Sequence, residues 1–492
     1  MSRVNVDVAV VGGELCGLAA AALLSLAGKK VVVVDDGDVV SRPLGDRLVP
    51  IASSLWRLPV AGPAAGLFDV LALKADARRL LGEPTGLGVV DDPDLRCVLP
   101  AAPEALAREL VRVFGDERGR AQERALKAVD VARRHPAFGE LASLHEDGFF
   151  FEARRARARV EALGAVGNLD ADDEGLLELQ GDGAGLWPVA QQLRGFVQSA
   201  AAPRERGLAA ALASSYLSGG APLGGGLGPR AILRDLLLSF VKHHGGDVVS
   251  ERVEMVEADG KRLTLLRTVA RKEDSLTPRS ARDSRIPRAA GSDEFVPRVV
   301  VDATANRDLS DRLPASRLRE KLLAWQGRVV VTGKTTSVRW LVPVRLLPRG
   351  MPPLLLLLGQ SGDAPVLVSL CNGIPLADAK GSHLDEQLLA LVATAPTDDA
   401  RWLEDQLGRL LPFTREHLRA RDAVDAAPVH AAFVVKDSEH PLMGRRPRTP
   451  FPNLVRAGRD LCPGFGIDGE LVAARSVVAV VEGALPRGPL AR

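Results

Sequence analysis

The clearest pattern lies in the first 40 residues. Val6–Val11 (VDVAVV) is an almost unbroken run of buried-type residues. It is followed by GGELCG and then by a small-residue stretch, LAAAALLSLAG, that closes at Gly28. A second β-branched run starts at Val31 and ends on Asp35 and Asp36. A strand with one solvated face alternates apolar and polar residues, whereas these runs do not, so each predicts a strand covered on both faces. Two such strands around an Ala/Leu helix predict a parallel βαβ unit of about 30 residues.

Further along, charged amphipathic patterns predict helices over 104–134 and 152–163. Residues 181–230 read as loop-rich, and Ala231–His244 reads as a helix ended by Gly245 and Gly246. VVSERVEMVEA and KRLTLLRTV flank Asp259–Gly260, which predicts a hairpin. Residues 268–298 are rich in Arg, Ser, Pro and Asp and predict a disordered insertion. VVVDA (Val299–Ala303) returns to buried strand. Residues 335–371 predict strands, 384–424 a helical region, and 453–485 a strand, a Gly-rich loop and a helix. The strand-like segments near 6–35, 245–306 and 453–485 are far apart in sequence yet read as parts of one core. The expected layout is therefore interleaved: 1–60, 221–306 and 445–492 in one domain, 61–220 and 307–444 in a second.

Composition narrows the function classes. The chain has 492 residues with a net charge of +2, so no global field selects nucleic acid. Aromatics are 4%, with Tyr216 the lone tyrosine, which argues against a stacking platform for single strands. Cys16, Cys97, Cys371 and Cys462 form no CxxC pair and no metal-ligand spacing, which fits a reducing compartment. No apolar run reaches the length of a bilayer span, and no signal peptide is legible. A cytoplasmic protein without a transmembrane segment is the expectation. Phe149–Phe151 followed by Arg154, Arg155, Arg157 and Arg159 could dock peripherally on an anionic membrane. A buried aromatic cluster beside a solvated helix face is the reading this pattern favours. His243 and His244 at a predicted helix end read as facing the helix dipole, and Ser53–Ser54 and Ser214–Ser215 lack a nucleophile-elbow setting.

The turn after the first strand carries candidate chemistry. In a dinucleotide site the first glycine permits the tight turn, the second lets backbone approach the pyrophosphate, and the third allows close helix–strand packing. Here those positions hold Gly12, Glu14 and Gly17. Asp35 ends the second strand, about where an acid grips a ribose hydroxyl. Near the C-terminus, NLVRAGRDLCPGFGIDGELVAA predicts a strand, a loop and a helix opening near Asp468, an arrangement that aims amides at an anion.

With these segments in place, the chain resembles the flavin-dependent phytoene desaturase and retinol saturase-like oxidoreductases. Their wider superfamily includes amine oxidases and the Rab GDP-dissociation inhibitors. The resemblance rests on VDVAVVGGELCGLAAAALLSLAGKKVVVVDD, GGDVVSERVEMVEADGKRLTLL and NLVRAGRDLCPGFGIDGELVAA, in family order. It implies an α/β fold: a Rossmann-like FAD/NAD(P)-binding core with an interleaved second α+β substrate domain. It implies FAD as cofactor and hydride transfer to or from a small apolar, polyene or lipid-like substrate. It also implies roles residue by residue. Gly12, Gly13 and Gly17 match the pyrophosphate loop, with Glu14 inside it. Asp35 matches the ribose acid, and Val253 the valine whose backbone meets adenine. Gly458, Gly464 and Gly466 match the loop beside the flavin ring, with Asp460 near the ribityl chain. No catalytic side chain is implied.

The sequence departs from that pattern in three places. Glu14 replaces a glycine, Arg459 stands where an acid often follows Gly458, and Ser41–Arg42–Pro43 replaces a Gly-Gly-Arg-like turn. Two like charges about 4 Å apart repel by roughly 4 kcal/mol at an effective dielectric near 20, so a carboxylate at 14 opposes a diphosphate. A flavin-free relative that carries a hydrophobic ligand or binds a partner is the alternative expectation.

Overall fold

A computed structural model describes residues 3–35, 40–54, 64–82, 84–91, 95–133, 186–197, 217, 221–222, 228–270, 293–304, 308–359, 363–376, 387–426, 432–435, 444–463 and 466–485. In chain order the elements that matter here begin with β1 (Arg3–Val11), α1 (Leu15–Leu26) and β2 (Val31–Val34). The hairpin β3 (Ser41–Leu44) and β4 (Arg47–Pro50) follows, then α2 (Ala65–Val70), α3 (Lys74–Leu81), β5 (Leu87–Asp91) and β6 (Leu95–Leu99). Three helices come next: α4 (Pro103–Phe114), α5 (Asp116–Arg133) and α6 (Trp187–Val197). Then come α7 (Pro229–His243), β7 (Asp247–Val249), β8 (Glu251–Asp259), β9 (Arg262–Ala270) and β10 (Glu294–Asp302). The rest comprises β11 (Thr336–Pro343), β12 (Leu354–Leu357), β13 (Val366–Cys371), β14 (Leu388–Ala395), α8 (Ala400–Leu410), β15 (Ala420–Asp425), β16 (Leu454–Arg456) and α9 (Gly466–Ala484).

The first sheet joins the three distant segments. β7, β2, β1, β10 and β16 run parallel side by side, with Val8 opposite Val31 and Val299, and Val300 opposite Leu454. Burial on both faces explains the unbroken valine runs. On one face α1, α7 and α9 pack through Leu15, Leu18, Leu237, Leu471 and Val477. The antiparallel β8–β9 hairpin continues the same sheet through β10, and its Val253, Val256 and Leu266 cluster with Val6, Ala9 and Val32 on the other face. Gly260, at φ +57, makes the turn of that hairpin.

The second sheet follows the order β15–β11–β14–β13–β12–β5–β6 and is antiparallel except between β12 and β5. Helices α4 to α6 cover one part of it through Leu106, Leu126 and Leu193, and α8 covers another through Leu403 and Leu407. The β3–β4 hairpin docks on this sheet through Leu44 and Val49. Arg339 on β11 pins the hairpin. Its guanidinium donates to the carbonyls of Arg42 (3.0 Å), Val49 (3.1 Å) and Pro43 (3.2 Å), and pairs with Asp422.

Several expectations are corrected. Residues 384–424 are not a helical region: LLALVATA is the central strand β14, then come α8 and strand β15. A run of seven apolar residues and a threonine has no period that separates strand from helix, and its position between β11 and β13 decides it. The expected insertion at 268–298 is too wide, because 268–270 complete β9 and 294–298 begin β10, which pairs with β1; residues 271–292 lie outside the described residues. The 104–134 helix is broken at Gly115, φ +83, into α4 and α5. Within the loop-rich 181–230 stretch, WPVAQQLRGFV forms α6. Residues 64–81, expected in the second domain, pack through Leu67, Phe68, Ala77 and Leu81 in the helical layer of the first sheet. Residues 152–163 and the Phe149–Arg159 stretch lie outside the described residues, as do Tyr216 and Ser214–Ser215. Among the described residues no helix is long and apolar enough to cross a membrane.

Candidate functional site

The βαβ turn, the end of β10 and the loop between β16 and α9 meet at one place. Gly12 sits at φ +99, and a Cβ there would lie 2.4 Å from the Ala303 carbonyl oxygen. At Gly17 a Cβ would lie 2.2 Å from the Cβ of Ala303. Both glycines are therefore demanded by the packing of the turn and α1 on the chain after β10. Gly13 is buried in the same turn. This much is the local shape of a dinucleotide-binding loop.

Glu14 changes what that shape can do. It is the N-cap of α1, with extended backbone, but its side chain caps nothing in α1. The carboxylate is fully buried and reaches across to the C-terminal loop. There Oε2 accepts the backbone N–H of Arg459 at 2.9 Å, and Oε1 lies 3.4 Å from the Arg459 Nε. Two departures noted in the sequence, an acid for a glycine and a base for an acid, are thus each other's partners across 445 residues. Burial raises the Glu14 pKa from 4.5 to about 7, with Arg459 pulling it down and Glu470 pushing it up.

The surrounding charges are also consumed internally. Arg230 on α7 grips Glu470 on α9 with two hydrogen bonds of 2.8 Å, both side chains buried. Arg456 bridges Asp460 (3.0 Å) and Asp302 (3.3 Å) and donates to the Thr304 carbonyl at 2.7 Å. Arg445 donates to Asp460 at 2.6 Å, and its guanidinium lies 4.1 Å above the Trp325 ring. Burial opposes ionisation of Asp460, but Arg445 and Arg456 overcome it and hold the carboxyl well below the usual range. In these contacts four arginines, Arg230, Arg445, Arg456 and Arg459, meet four carboxylates, Glu14, Asp302, Asp460 and Glu470.

The remaining predicted residues fall as follows. Asp35 follows β2 at the predicted place, but its carboxylate pairs with Arg234 of α7. Val253 is buried in β8 beside a register shift, and β8 touches β2. At Gly458 a Cβ would lie 2.5 Å from Arg456 Nη2 and 2.5 Å from Asp460 Oδ1, so the open face of this glycine is filled by that ion pair. Gly466 opens α9 at φ +55, and Gly464 lies outside the described residues. Ser41–Arg42–Pro43 is strand, paired with Pro50, Val49 and Leu48. His243 and His244 end α7 on the surface, and Ser53 is buried, its backbone N–H donating to Thr394 at 2.8 Å. Sequence reasoning missed Arg230, Arg234, Arg445, Arg456 and Glu470. Arg230, Arg234 and Arg456 stand as arginines in an apolar helix or strand, which is their one local signal; Arg445, in a loop, and Glu470, on α9, carry none.

The fit of FAD can be tested on these contacts. The glycine shape and Asp35 suit a dinucleotide. The carboxylate of Glu14 on the Arg459 amide, the filled face of Gly458 and the balanced ion pairs do not suit a doubly negative diphosphate. As folded, the side chains present do not fit the cofactor.

A scan against protein-family models matched none, and a search of curated proteins matched none. Solved structures do match. A Pyrococcus furiosus protein covers 98% of this chain and 98% of its own, at 14% identity and a TM-score of 0.52. An oxidoreductase from Methanosarcina mazei covers 96% and 100%, at 14% identity and 0.52. A Rab GDI from Plasmodium falciparum covers 98% and 98%, at 10% identity and 0.51. Such identities carry fold and not activity. The chain therefore has the α/β, Rossmann-like fold of the FAD/NAD(P)-binding oxidoreductases, in the broad form shared by an oxidoreductase and a Rab GDI.

Proposed function

We propose that this chain is a flavin-free relative on the oxidoreductase fold, working as a binding protein for a small apolar ligand. The observation that carries the reading is the buried Glu14 carboxylate held by the Arg459 amide and guanidinium. A protein charge already fills the place a ligand charge would take, and the neighbouring arginines have protein partners. The apolar class of ligand comes from the resemblance to phytoene desaturases and retinol saturases. A Rab GDI among proteins of this fold supports a non-catalytic use of it. The division into a dinucleotide-type domain and a second, ligand-facing domain belongs to the same proposal, as does the cytoplasmic setting.

A second reading is a FAD-dependent oxidoreductase acting on a polyene or lipid-like substrate. It is favoured by the retained close packing of Gly12 and Gly17 and by Asp35 at the end of β2. The protein would then bind and orient the cofactor, which supplies the hydride chemistry.

The two readings separate on the colour of the purified protein. After denaturation, the supernatant should carry no flavin absorbance. Flavin released in stoichiometric amount would favour the oxidoreductase.

A further inference from the structure

We infer that the end of the second sheet where β11 leaves and β15 enters is a docking surface for an anionic lipid bilayer, with Phe413 as its apolar anchor. Phe413 is 84% exposed, the most of any large apolar side chain among the described residues. A single exposed apolar residue is ordinary on a protein surface. Here the backbone holds it outward. It lies in the turn after α8, between Leu411 and Thr414, which are both buried. The Leu411 amide donates to the Leu407 carbonyl at 2.9 Å, the Thr414 hydroxyl donates to the Leu411 carbonyl at 2.8 Å, and the His417 amide donates to the Thr414 carbonyl at 2.9 Å. Folding Phe413 back would pull Leu411 or Thr414 out of the core. Leu410 and Leu418 flank the turn, and Leu346, Leu347 and Met351 follow β11 at the same end of the sheet. All five are half-buried against the core that α8 covers. The Arg419 amide donates to the Leu341 carbonyl at 3.0 Å and ties the two segments together.

The charges around this apolar shoulder are mostly positive. Residues 344–353 and 404–421 carry six exposed arginines, Arg345, Arg349, Arg409, Arg415, Arg419 and Arg421, against three acids, Glu404, Asp405 and Glu416. Arg415 pairs with Glu404 and Asp405, and Arg421 pairs with Glu404. The excess of three positive charges at this one end compares with +2 for the whole chain. An apolar tip ringed by arginines matches a bilayer with anionic headgroups. The ring enters the boundary between headgroups and acyl chains, the arginine stems lie along it, and the guanidiniums meet lipid phosphates. Nucleic acid would meet the arginines but leave the leucine shoulder without a partner. The inference draws nothing from the glycine turn after β1 and is independent of the flavin-free reading.

The full chain is sedimented with vesicles of phosphatidylcholine alone and of phosphatidylcholine mixed with phosphatidylserine. It should pellet with the mixed vesicles and not with the neutral ones, and be released as salt rises. An arginine near an anionic surface tightens binding by about fivefold, so Arg345→Glu with Arg349→Glu should weaken it by at least about tenfold. Phe413→Ser should weaken it by at least about threefold. All three positions are exposed, so the variants should melt with wild type; if one does not, the lipid and salt dependence of wild type carries the test. Wild type that stays in solution with the mixed vesicles, or pellets equally with both lipids, would overturn the inference. So would binding that survives both the charge reversal and Phe413→Ser in folded protein. A duplex DNA fragment that displaces the vesicles and binds Phe413→Ser as tightly as wild type would assign the arginines to nucleic acid, and overturn it too. None of these results alters the flavin content, which tests the other reading separately.

Discussion

At the scale of single residues, the proposed reading turns on Glu14, whose buried carboxylate is held by Arg459. An ion pair taken out of water gains only if its geometry offsets the desolvation of both partners. Here desolvation is the larger effect on Glu14, which is why its pKa rises to about 7 despite Arg459. The folded protein then holds the Glu14 proton more tightly than the unfolded chain does. Protonation therefore contributes stability that is fully present below about pH 4.5 and is lost as pH rises through about 7. Denaturant unfolding at a series of pH values should show this as a component of the slope between 4.5 and 7. Glu14→Gln cannot titrate and should lack it. Equal slopes for the two proteins would mean that Glu14 is solvated or ionised throughout. The glycine spacing and the odd acid were legible in the sequence, because both lie in one short motif. The partner was not, since Glu14 and Arg459 stand 445 residues apart and no local pattern encodes such a contact.

At the scale of elements, the helical layer is tied together by charge as well as by apolar packing. Arg230 and Glu470 join α7 to α9 through a bidentate, buried pair. Removing one member strands the other, which costs about 3–5 kcal/mol, whereas replacing both with apolar residues of similar size is often near neutral. Glu470→Gln should therefore lower the unfolding free energy by several kcal/mol, and Arg230→Met with Glu470→Leu should recover most of it. If the double variant is as unstable as the single, the pair has a role beyond mutual neutralisation. The parallel strands, the β8–β9 hairpin and the 453–485 segment were legible because their apolar runs and turn residues are local signals. The strand β14 was misread because seven apolar residues and a threonine fit a buried helix as well as a buried strand. Ser41–Arg42–Pro43 stands where the resemblance expects a Gly-Gly-Arg-like turn, and nothing local in it announces the β3–β4 hairpin. What holds it as a strand is Arg339, reached from a sheet nearly 300 residues later.

At the scale of the whole molecule, three distant segments build one parallel sheet, and the loops at its carboxyl edge converge where α/β folds place their ligands. The fold was legible because the order of the three segments was. Whether the edge binds anything is decided by a handful of charges that fold comparison does not see. On the proposed reading this edge is closed to FAD by the protein's own side chains. A ligand that binds the native state at one hundred times its dissociation constant stabilises it by about 2.7 kcal/mol, which is readily seen as a rise in melting temperature. The most direct measurement is the melting temperature of the wild-type protein with and without a large excess of FAD. No change is expected at pH 8, above the Glu14 pKa of about 7. A reproducible rise that saturates with FAD concentration would contradict it.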